Sequence, residues 1–481
     1  MPYAPSWLVT ALLVLALAGS SSAADSDDLE VAFYRAYYIE TAEERYDEAC
    51  ATYETLVDAF TSKPDLRAWV RVRLAACALR AGDRVKTERW LLEAKSIEGA
   101  GPHVASAIER CRRALGGDVT PAPVVPPLDA TPLDRAIDRG VEWLVQHQDD
   151  GGRWPAQPTY PTLAGHDLGV SALSLLALVA SGHTHETGPS EAARTALTRG
   201  LKALLAQQDT DEAPDRKGRF RGPAAEWIYG HAVAQLVLVR LLAATGDPEL
   251  TTPVENAVRY SLGHQNPGYG WKYDYRAGRN DSSVTAWMML GLAEARDLQR
   301  AGRLPGVEPE SYETSFRGGI SWLGRTTAVK TGRTGYETPG DMGSRIVAPF
   351  GESYPFDSRL PVNTAAALSV RLRCGFPPSE AIQSLQLASV LENPPVWIHL
   401  PQSVEHKSKI NMIYWWWGIH VCKNVGGPEC RDWARVLADT LLGAQDADGS
   451  WPPVGAWGAV GGTPYSTAMG VILLSEVRAL R

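Results

Sequence analysis

The 481-residue chain is 44% hydrophobic and carries a net charge of −8, so it holds enough apolar content for a large core and, at this length, for more than one domain. Its acidic balance excludes the basic face on which nucleic-acid binding depends. Beyond residue 24 no stretch reads as a membrane span.

Residues 7–18 are apolar and lead into Ser21-Ser22-Ala23-Ala24, the pattern of a cleaved secretory segment over residues 1–24. The first basic residue is Arg35, so the usual positive start is missing, and a retained anchor or a later start stays open. Export predicts a secreted or periplasmic protein. Residues 25–117 read as helices joined by short turns. Within them Arg45-Tyr-Asp-Glu-Ala-Cys, running on to Tyr53 and Leu56, and Leu74-Ala-Ala-Cys-Ala-Leu79 followed by Gly82-Asp83 and Trp90-Leu-Leu-Glu-Ala94, resemble tetratricopeptide units. That resemblance implies a partner-binding groove; a stabilising cap or a plain helical bundle is the competing reading.

The six cysteines divide evenly, Cys50, Cys77 and Cys111 in one half, Cys374, Cys422 and Cys430 in the other. An odd number per half does not make a self-contained disulfide framework. Cys422 and Cys430 either pair or stay buried as thiols. With neither C-x-x-C nor a Cys/His zinc spacing, no metal and no cofactor is expected.

Residues 118–131 contain four prolines, Pro121, Pro123, Pro126 and Pro127, and read as an extended linker. Thr131-Pro132 with Asp134 then opens a helix, a capping hydroxyl followed by proline at the first helical position. From here to 481 the pattern repeats: outer helix, turn, loop, inner helix. The turn is Gln148-Asp-Asp-Gly-Gly152-Arg-Trp154 at one end and Gln445-Asp-Ala-Asp-Gly449-Ser-Trp451 at the other. Blurred copies stand at Gln265 to Trp271 and at Gln208 to Phe220, and Gly319-Ile-Ser-Trp322-Leu matches Gly140-Val-Glu-Trp143-Leu, which puts Thr327 in the glutamine's slot. Outer helices are predicted near 132–148, 190–208, 252–265, 312–327, 379–391 and 430–445. Inner helices, apolar nearly all round, are predicted near 168–181, 227–244, 282–299, 363–374, 410–423 and 464–478. Six such hairpins make an all-α (α/α)6 toroid.

These repeats resemble the squalene-cyclase and protein-prenyltransferase superfamily over residues 132–481. Asp281-Ser-Ser-Val-Thr-Ala-Trp287, Met412-Ile-Tyr-Trp-Trp-Trp-Gly418 and Gly462-Thr-Pro-Tyr465-Ser-Thr-Ala468 resemble an uncharacterised bacterial group of that superfamily. In it the turn glutamine bonds backbone at a helix end and the tryptophan stacks above. Squalene-hopene cyclases protonate an alkene with the middle Asp of D-x-D-D. Here the matching stretch is Gly278-Arg279-Asn280-Asp281, so an amide stands in the donor's slot and forfeits a catalytic contribution of ~10²–10⁴-fold. The Asp-x-Cys and His ligands of the prenyltransferase zinc are also missing.

Asp281 heads an inner helix and reads first as its cap; with Asp274 it is also the candidate for a relocated acid. His166-Asp167 reads as a loop histidine beside a capping carboxylate. The Tyr414-Trp415-Trp416-Trp417 string with His420 is either core packing or an aromatic cavity wall. The polar segment 330–360 carries Tyr336, Asp341, Arg345, Glu352, Tyr354 and Asp357, and Trp397, His399, Glu405 and His406 precede the aromatic helix. If the inner-helix starts share one mouth, Asp274, Asp281, Tyr336, Asp341, His406, Tyr414, Trp415 and Tyr465 are the candidate catalytic and ligand-binding residues. Three functions fit: a non-cyclising toroid binding an apolar or polymeric ligand or a protein partner, an isoprenoid enzyme with a relocated acid, and a carbohydrate-active enzyme with paired carboxylates.

Overall fold

The computed structural model describes residues 45–100, 130–159, 161–341, 360–397, 410–455 and 457–480, with scattered positions between 29 and 40 and between 104 and 115. The secretory segment, most of the proline-rich linker, Arg345, Glu352, Tyr354, Asp357, His399, Glu405 and His406 lie outside the described residues. The chain divides into two compact units, residues 1–126 and 127–481.

In the first unit α1 (Tyr46–Thr55), α2 (Pro64–Arg80) and α3 (Arg84–Lys95) follow one another through short turns. Asp83 caps α3 by accepting from the Lys86 N–H at 2.9 Å, the role its residue type favours. The Glu40 carboxylate is buried and accepts from Arg73, from Arg80 Nη1 at 2.6 Å and from the Tyr53 hydroxyl at 3.0 Å. Burial alone would raise its pKa, but Arg73 and Arg80 override that and hold it near 2. A disulfide joins Cys50 on α1 to Cys77 on α2, which corrects the count by halves: two of the first three cysteines pair with each other. Cys422 and Cys430 are free and buried. Reducing Cys50–Cys77, which closes a 27-residue separation, is expected to destabilise this unit by about 3 kcal/mol through the released chain entropy. Urea titration with and without reductant checks it.

The second unit is the (α/α)6 toroid. Its outer helices are α4 (Ala130–Gln146), α6 (Glu191–Leu205), α8 (Thr251–His264), α10 (Pro309–Arg325), α12 (Ala381–Glu392) and α14 (Gly427–Ala444). Its inner helices are α5 (Asp167–Ala180), α7 (Ile228–Thr245), α9 (Ser282–Arg300), α11 (Val362–Arg373), α13 (Met412–Val425) and α15 (Gly458–Arg478). Each inner helix packs on the next, and α15 packs back on α5, so the inner ring closes. The helix α4 starts two residues earlier than Pro132 predicts, which leaves the proline in the first turn, where its missing N–H is harmless. One sequence expectation needs correcting. Ile228–Thr245 is long and apolar enough to cross a membrane, but it is an inner helix whose side chains are buried by its ring neighbours.

The repeated turn shows why six hairpins form a ring rather than a row. The Gln148 amide donates to the Gly152 carbonyl of its own turn at 3.0 Å and to the Ala196 carbonyl on the next outer helix at 2.8 Å. Gln208 does the same to Gly218 and Pro253, and Gln265 to Tyr269 and Ser315. In the last turn Gln445 reaches Gly449 at 2.9 Å and Ala136 on the first outer helix at 2.8 Å. The final copy is therefore the joint between the chain's two ends of the ring. The tryptophan beside it is buried, and its indole N–H donates to a carbonyl ten residues back: Trp154 to Leu144, Trp271 to Ser261, Trp451 to Leu441. Its backbone N–H donates to a hydroxyl on the inner helix, Ser171, Thr285 or Thr467. In the second copy Phe220 replaces tryptophan and its N–H finds the Nδ1 of His231 instead. Gly152 and Gly449 have φ of +79° and +92°, and a Cβ on either would strike the carbonyl of the adjoining outer helix. The fourth turn, with Thr327 in the glutamine's slot, borrows its amide from the next helix. Gln386 donates to the Gly332 carbonyl at 3.1 Å and to Thr334 at 3.0 Å, and Arg371 holds Gln386 and Thr327 in place.

At the C-terminal ends of the inner helices the lumen is tied across by charge. Arg240 on α7 makes a bidentate pair with Glu294 on α9 and reaches Glu476 on α15 at 3.3 Å. Lys423 on α13 also bonds Glu476. Burial opposes ionisation of Glu476, yet His420, Arg240 and Lys423 hold it near 2.

Candidate functional site

At the opposite end, the first turns of α5, α7, α9, α13 and α15 surround a cavity of about 870 Å³, counting its open mouth. Five of the six inner helices contribute, so it sits in the lumen. The wall comes from positions three or four apart on each helix: His166, Gly169, Val170 and Leu173; Glu226, Tyr229, Gly230 and Val233; Ser283 and Trp287; Val460, Gly461 and Tyr465. That spacing is one face of a helix. Glycines at 169 and 230 let α5 and α7 approach, since a Cβ on Gly230 would press on Leu168 at 3.1 Å. The surface is mostly apolar and aromatic. Its polar side is His166, Glu226, Tyr229 and Ser283, and burial lowers the His166 pKa, against the pull of Glu226 and Asp167.

Tyr465 is placed by a break in its helix. Gly462 has φ +69° inside α15, and a Cβ there would meet the Gln157 backbone oxygen at 2.6 Å. The loop after the first turn crosses at this point, with the Gln157 N–H donating to the Gly461 carbonyl at 3.2 Å. Pro464, which lacks an N–H, follows at once. The Tyr465 side chain is 6% exposed, and its hydroxyl has no hydrogen-bond partner among the described residues.

Asp281 is fully buried and caps α9 by accepting from the Val284 N–H at 2.7 Å. Its other oxygen accepts from the Tyr336 hydroxyl at 3.0 Å, and Tyr336 in turn meets the Tyr273 hydroxyl at 2.6 Å. Tyr229 of the cavity wall adjoins both Ser283 and Tyr336. A buried carboxyl is thereby linked to the cavity through phenols. Burial raises its pKa to about 6, against the Val284 N–H, Tyr336 and Lys272. Because the folded pKa lies above the unfolded value of 3.8, the stabilisation is full below pH 3.8 and is lost as pH rises through 6. The charged form costs about 3 kcal/mol at neutral pH. Asp281→Asn keeps a cap acceptor and is expected to flatten the stability profile between pH 4 and 7, gaining on the parent at pH 7.5. Parallel urea midpoints for the two proteins across that range would contradict this.

Of the residues singled out from sequence, Tyr465 and His166 are the ones among the described residues that line the cavity. Asp281 and Tyr336 are brought together behind it. Asp341 serves Tyr336: its carboxylate accepts from the N–H groups of Tyr336, Glu337 and Thr338 at 2.7–3.1 Å, and those bonds pull its pKa down despite burial. Asp274 is exposed on the surface. His406 lies outside the described residues. Tyr414 and Trp415 correct the expectation of an aromatic wall. The Tyr414 hydroxyl donates to the Val390 and Asn393 carbonyls at 3.2 and 2.7 Å, and Trp415 packs against Trp397 at 6.0 Å between ring centroids. Trp416 stacks on Trp287 at 5.9 Å and Trp417 meets it edge-on at 5.0 Å, so the string buttresses the wall, and Ile413, the residue before it, is what α13 contributes to the lining. Asp167 is not a cap; it is the first residue of α5 and accepts from the Ala156 N–H at 2.8 Å, while His166 reaches the cavity. Asn280 accepts from the Asn266 amide at 2.8 Å and is a strut of the turn. Sequence reasoning missed Glu226, Tyr229, Ser283, Trp287 and Trp457. The spacing of 226, 229, 230 and 233 would have found four wall positions on one helix face, but acids and aromatic runs are the louder signals.

A metal-type cluster, His185, Glu186 and Asp247, lies away from this cavity. There His185 Nε2 and Asp247 Oδ2 are 2.9 Å apart and tie two interhelical loops together.

No known family model matches the chain, and no curated protein matches its sequence. Among solved structures it is similar to the GH76A alpha-1,6-mannanase from Salegentibacter sp. HEL1_6, at 9% identity over 73% of this chain and 100% of that one, TM-score 0.49. It is also similar to the type II terpene cyclase MstE from Scytonema, at 15% identity over 73% and 100% of the two chains, TM-score 0.44. A point variant of a protein described as a glycosidase matches at 15% identity over 74% and 100%, TM-score 0.48. Identities this low extend no further than the helical fold, and the ring rests on its own helix contacts.

Proposed function

We propose that this protein is an exported, non-cyclising relative of the squalene-cyclase toroids that binds an apolar ligand in the mouth of its ring. The carrying observation is the lumen cavity itself, apolar and aromatic on most of its wall and open at one end. A glycan-cleaving toroid needs a pair of carboxylates across its cleft, and among the described wall residues Glu226 is the one carboxylate. Asn280 in the proton donor's slot speaks against cyclisation. The neutral apolar fluorophore N-phenyl-1-naphthylamine should bind with enhanced emission, and Val233→Phe, which fills the wall, should weaken it about 10-fold. Binding unchanged in that variant would place the fluorophore elsewhere and remove the reading.

A second reading has one observation in its favour. Asp281, poised near pH 6 and joined through Tyr336 to the cavity-lining Tyr229, fits a relocated acid acting on an isoprenoid. Incubation with squalene and prenyl diphosphates decides it; substrates returned unchanged exclude it. Asp274, exposed, is the weaker of the two candidate acids. For export the support is Cys50–Cys77, since such bonds persist in oxidising compartments; mass spectrometry of the mature N-terminus tests removal of residues 1–24. The helical N-terminal unit engages a protein partner in this proposal, through Val85 and Leu92, which are 79% and 65% exposed and two turns apart on α3. Loss of co-purifying protein from a V85E/L92E variant is the expected result.

A further inference from the structure

We propose that the ligand is a cationic amphiphile, an apolar body with one ammonium-type head, seated tail-inward with that head beside Glu226. The inference rests on the apolar-ligand reading above and specifies the head group. Polarity along the cavity wall changes with depth. Glu226 stands just before α7, His166 just before α5, and Ser283 in the first turn of α9, so these polar wall groups gather at the helix starts. One to two turns further in, the same helices contribute Val170, Leu173, Val233 and Trp287, none of them charged. A molecule that enters tail first meets apolar wall below and polar groups at the mouth, the order an amphiphile needs.

The sign of the head follows from which charges are already paired. No Lys or Arg is among the described wall residues. Lys272, behind the wall, is paired with Glu337, and Arg221 lies over Trp227 at 5.4 Å and is exposed. The inner helices turn their positive ends toward the mouth, which by itself favours an anion. Those ends are largely met from within the chain. Asp281 caps α9, Asn411 caps α13, and Asp167 opens α5 and accepts from the Ala156 N–H. Glu226 is the acid left over. Its side chain is partly exposed, and its carboxylate has no hydrogen-bond or ion-pair partner among the described residues. Burial lowers the His166 pKa and the Glu226 charge pulls the other way, which sets that carboxylate close to a second residue of the same opening. A carboxylate or phosphate head would meet like charge there and gain no cation. An ammonium head pairs with Glu226, and the aromatic wall residues Tyr229 and Trp457 suit the same charge.

The test uses the full-length protein at about 0.15 M salt, where long-range attraction is screened. N-phenyl-1-naphthylamine is displaced by three probes of equal chain length: dodecyltrimethylammonium, dodecan-1-ol and dodecanoate, each below micelle formation. The ammonium should displace at least about 10-fold more tightly than the carboxylate. Glu226→Gln keeps the shape and removes the charge. It should weaken the ammonium about 5-fold, the worth of one partly exposed ion pair, and leave dodecan-1-ol unaffected. Because the whole chain carries a charge of −8, Glu142→Gln, on the exposed side of α4, makes the same charge change away from the cavity and should leave all three probes unchanged. The proposal is overturned by a parent that prefers dodecanoate, by a Glu226→Gln protein that binds the ammonium as the parent does, or by an equal loss in Glu142→Gln. In each of those cases binding of dodecan-1-ol keeps the apolar-ligand reading. Failure of the fluorophore and all three probes overturns that reading and this one with it.

Discussion

Acidification from pH 6.5 to 3 is expected to strip roughly 4 kcal/mol from the toroid through His231 alone. This side chain is fully buried, and burial, with His264 nearby, lowers its pKa to about 3. The geometry explains the size of the effect. Nδ1 accepts from the Phe220 N–H at 3.1 Å, which leaves Nε2 as the donor to Ser261 at 3.0 Å. A second ring proton would point at the Phe220 N–H, donor against donor, with no water to relieve it. A lowered folded pKa means that the stabilisation is complete above 6.5 and fades as pH falls toward 3. His264 and His420, each lowered by burial to about 4, act in the same direction. Asp281 opposes them, because its protonation on folding favours the acid side. The diagnostic variant is His231→Ser, which restores the hydroxyl used at Ser171 in the first repeat. It should lose about 2 kcal/mol at pH 7 from the smaller side chain and lose the acid step with it. An unchanged acid midpoint in that variant would show that another group drives the transition.

Trp451→Ala is expected to cost about 3–5 kcal/mol, the range for truncating a buried tryptophan. This indole is fully buried and fits between Gly140 on the first outer helix and Gly470 on the last inner helix, where an added Cβ would come within 3.0 and 2.5 Å of its ring. Alanine would also leave the Leu441 carbonyl unpaired. Gln445→Ala, which removes the bonds to Gly449 and Ala136, should cost about 2 kcal/mol, since each bond is worth about 1 kcal/mol. Both variants act at the seam where the ring's two chain ends meet, and urea unfolding measures both. A loss under about 1 kcal/mol at Trp451, well below the usual range, would mean that the seam contributes little to the ring's stability.

The architecture was legible because its determinants are local and repeated. Helical periodicity placed all twelve toroid helices, and Gln148, Gly152 and Trp154 recur because the same turn must bridge to the same neighbour each time. What the repeat concealed was substitution by physics rather than by letter. Gln386 serves the fourth turn from the wrong side of it, and His231 stands in for a hydroxyl, neither of which spacing reveals. The site was harder to read for a different reason. Cavity walls are built from helix faces, and Val170, Tyr229 and Val233 look like any other core positions until the lumen is left unfilled. The aromatic string Tyr414 to Trp417 drew notice by composition, yet its work is to support Trp287. The Cys50–Cys77 bond joins neighbouring helices, and counting cysteines by halves cannot see that pairing.

The charged tie between Arg240, Glu294, Lys423 and Glu476 spans four of the inner helices at the end opposite the cavity. Among the described residues the tie stands at the end opposite the cavity, so a ligand bound as proposed is expected to leave by the mouth it entered, before its successor arrives. Exchange is therefore expected to be set by the departure rate of the occupant.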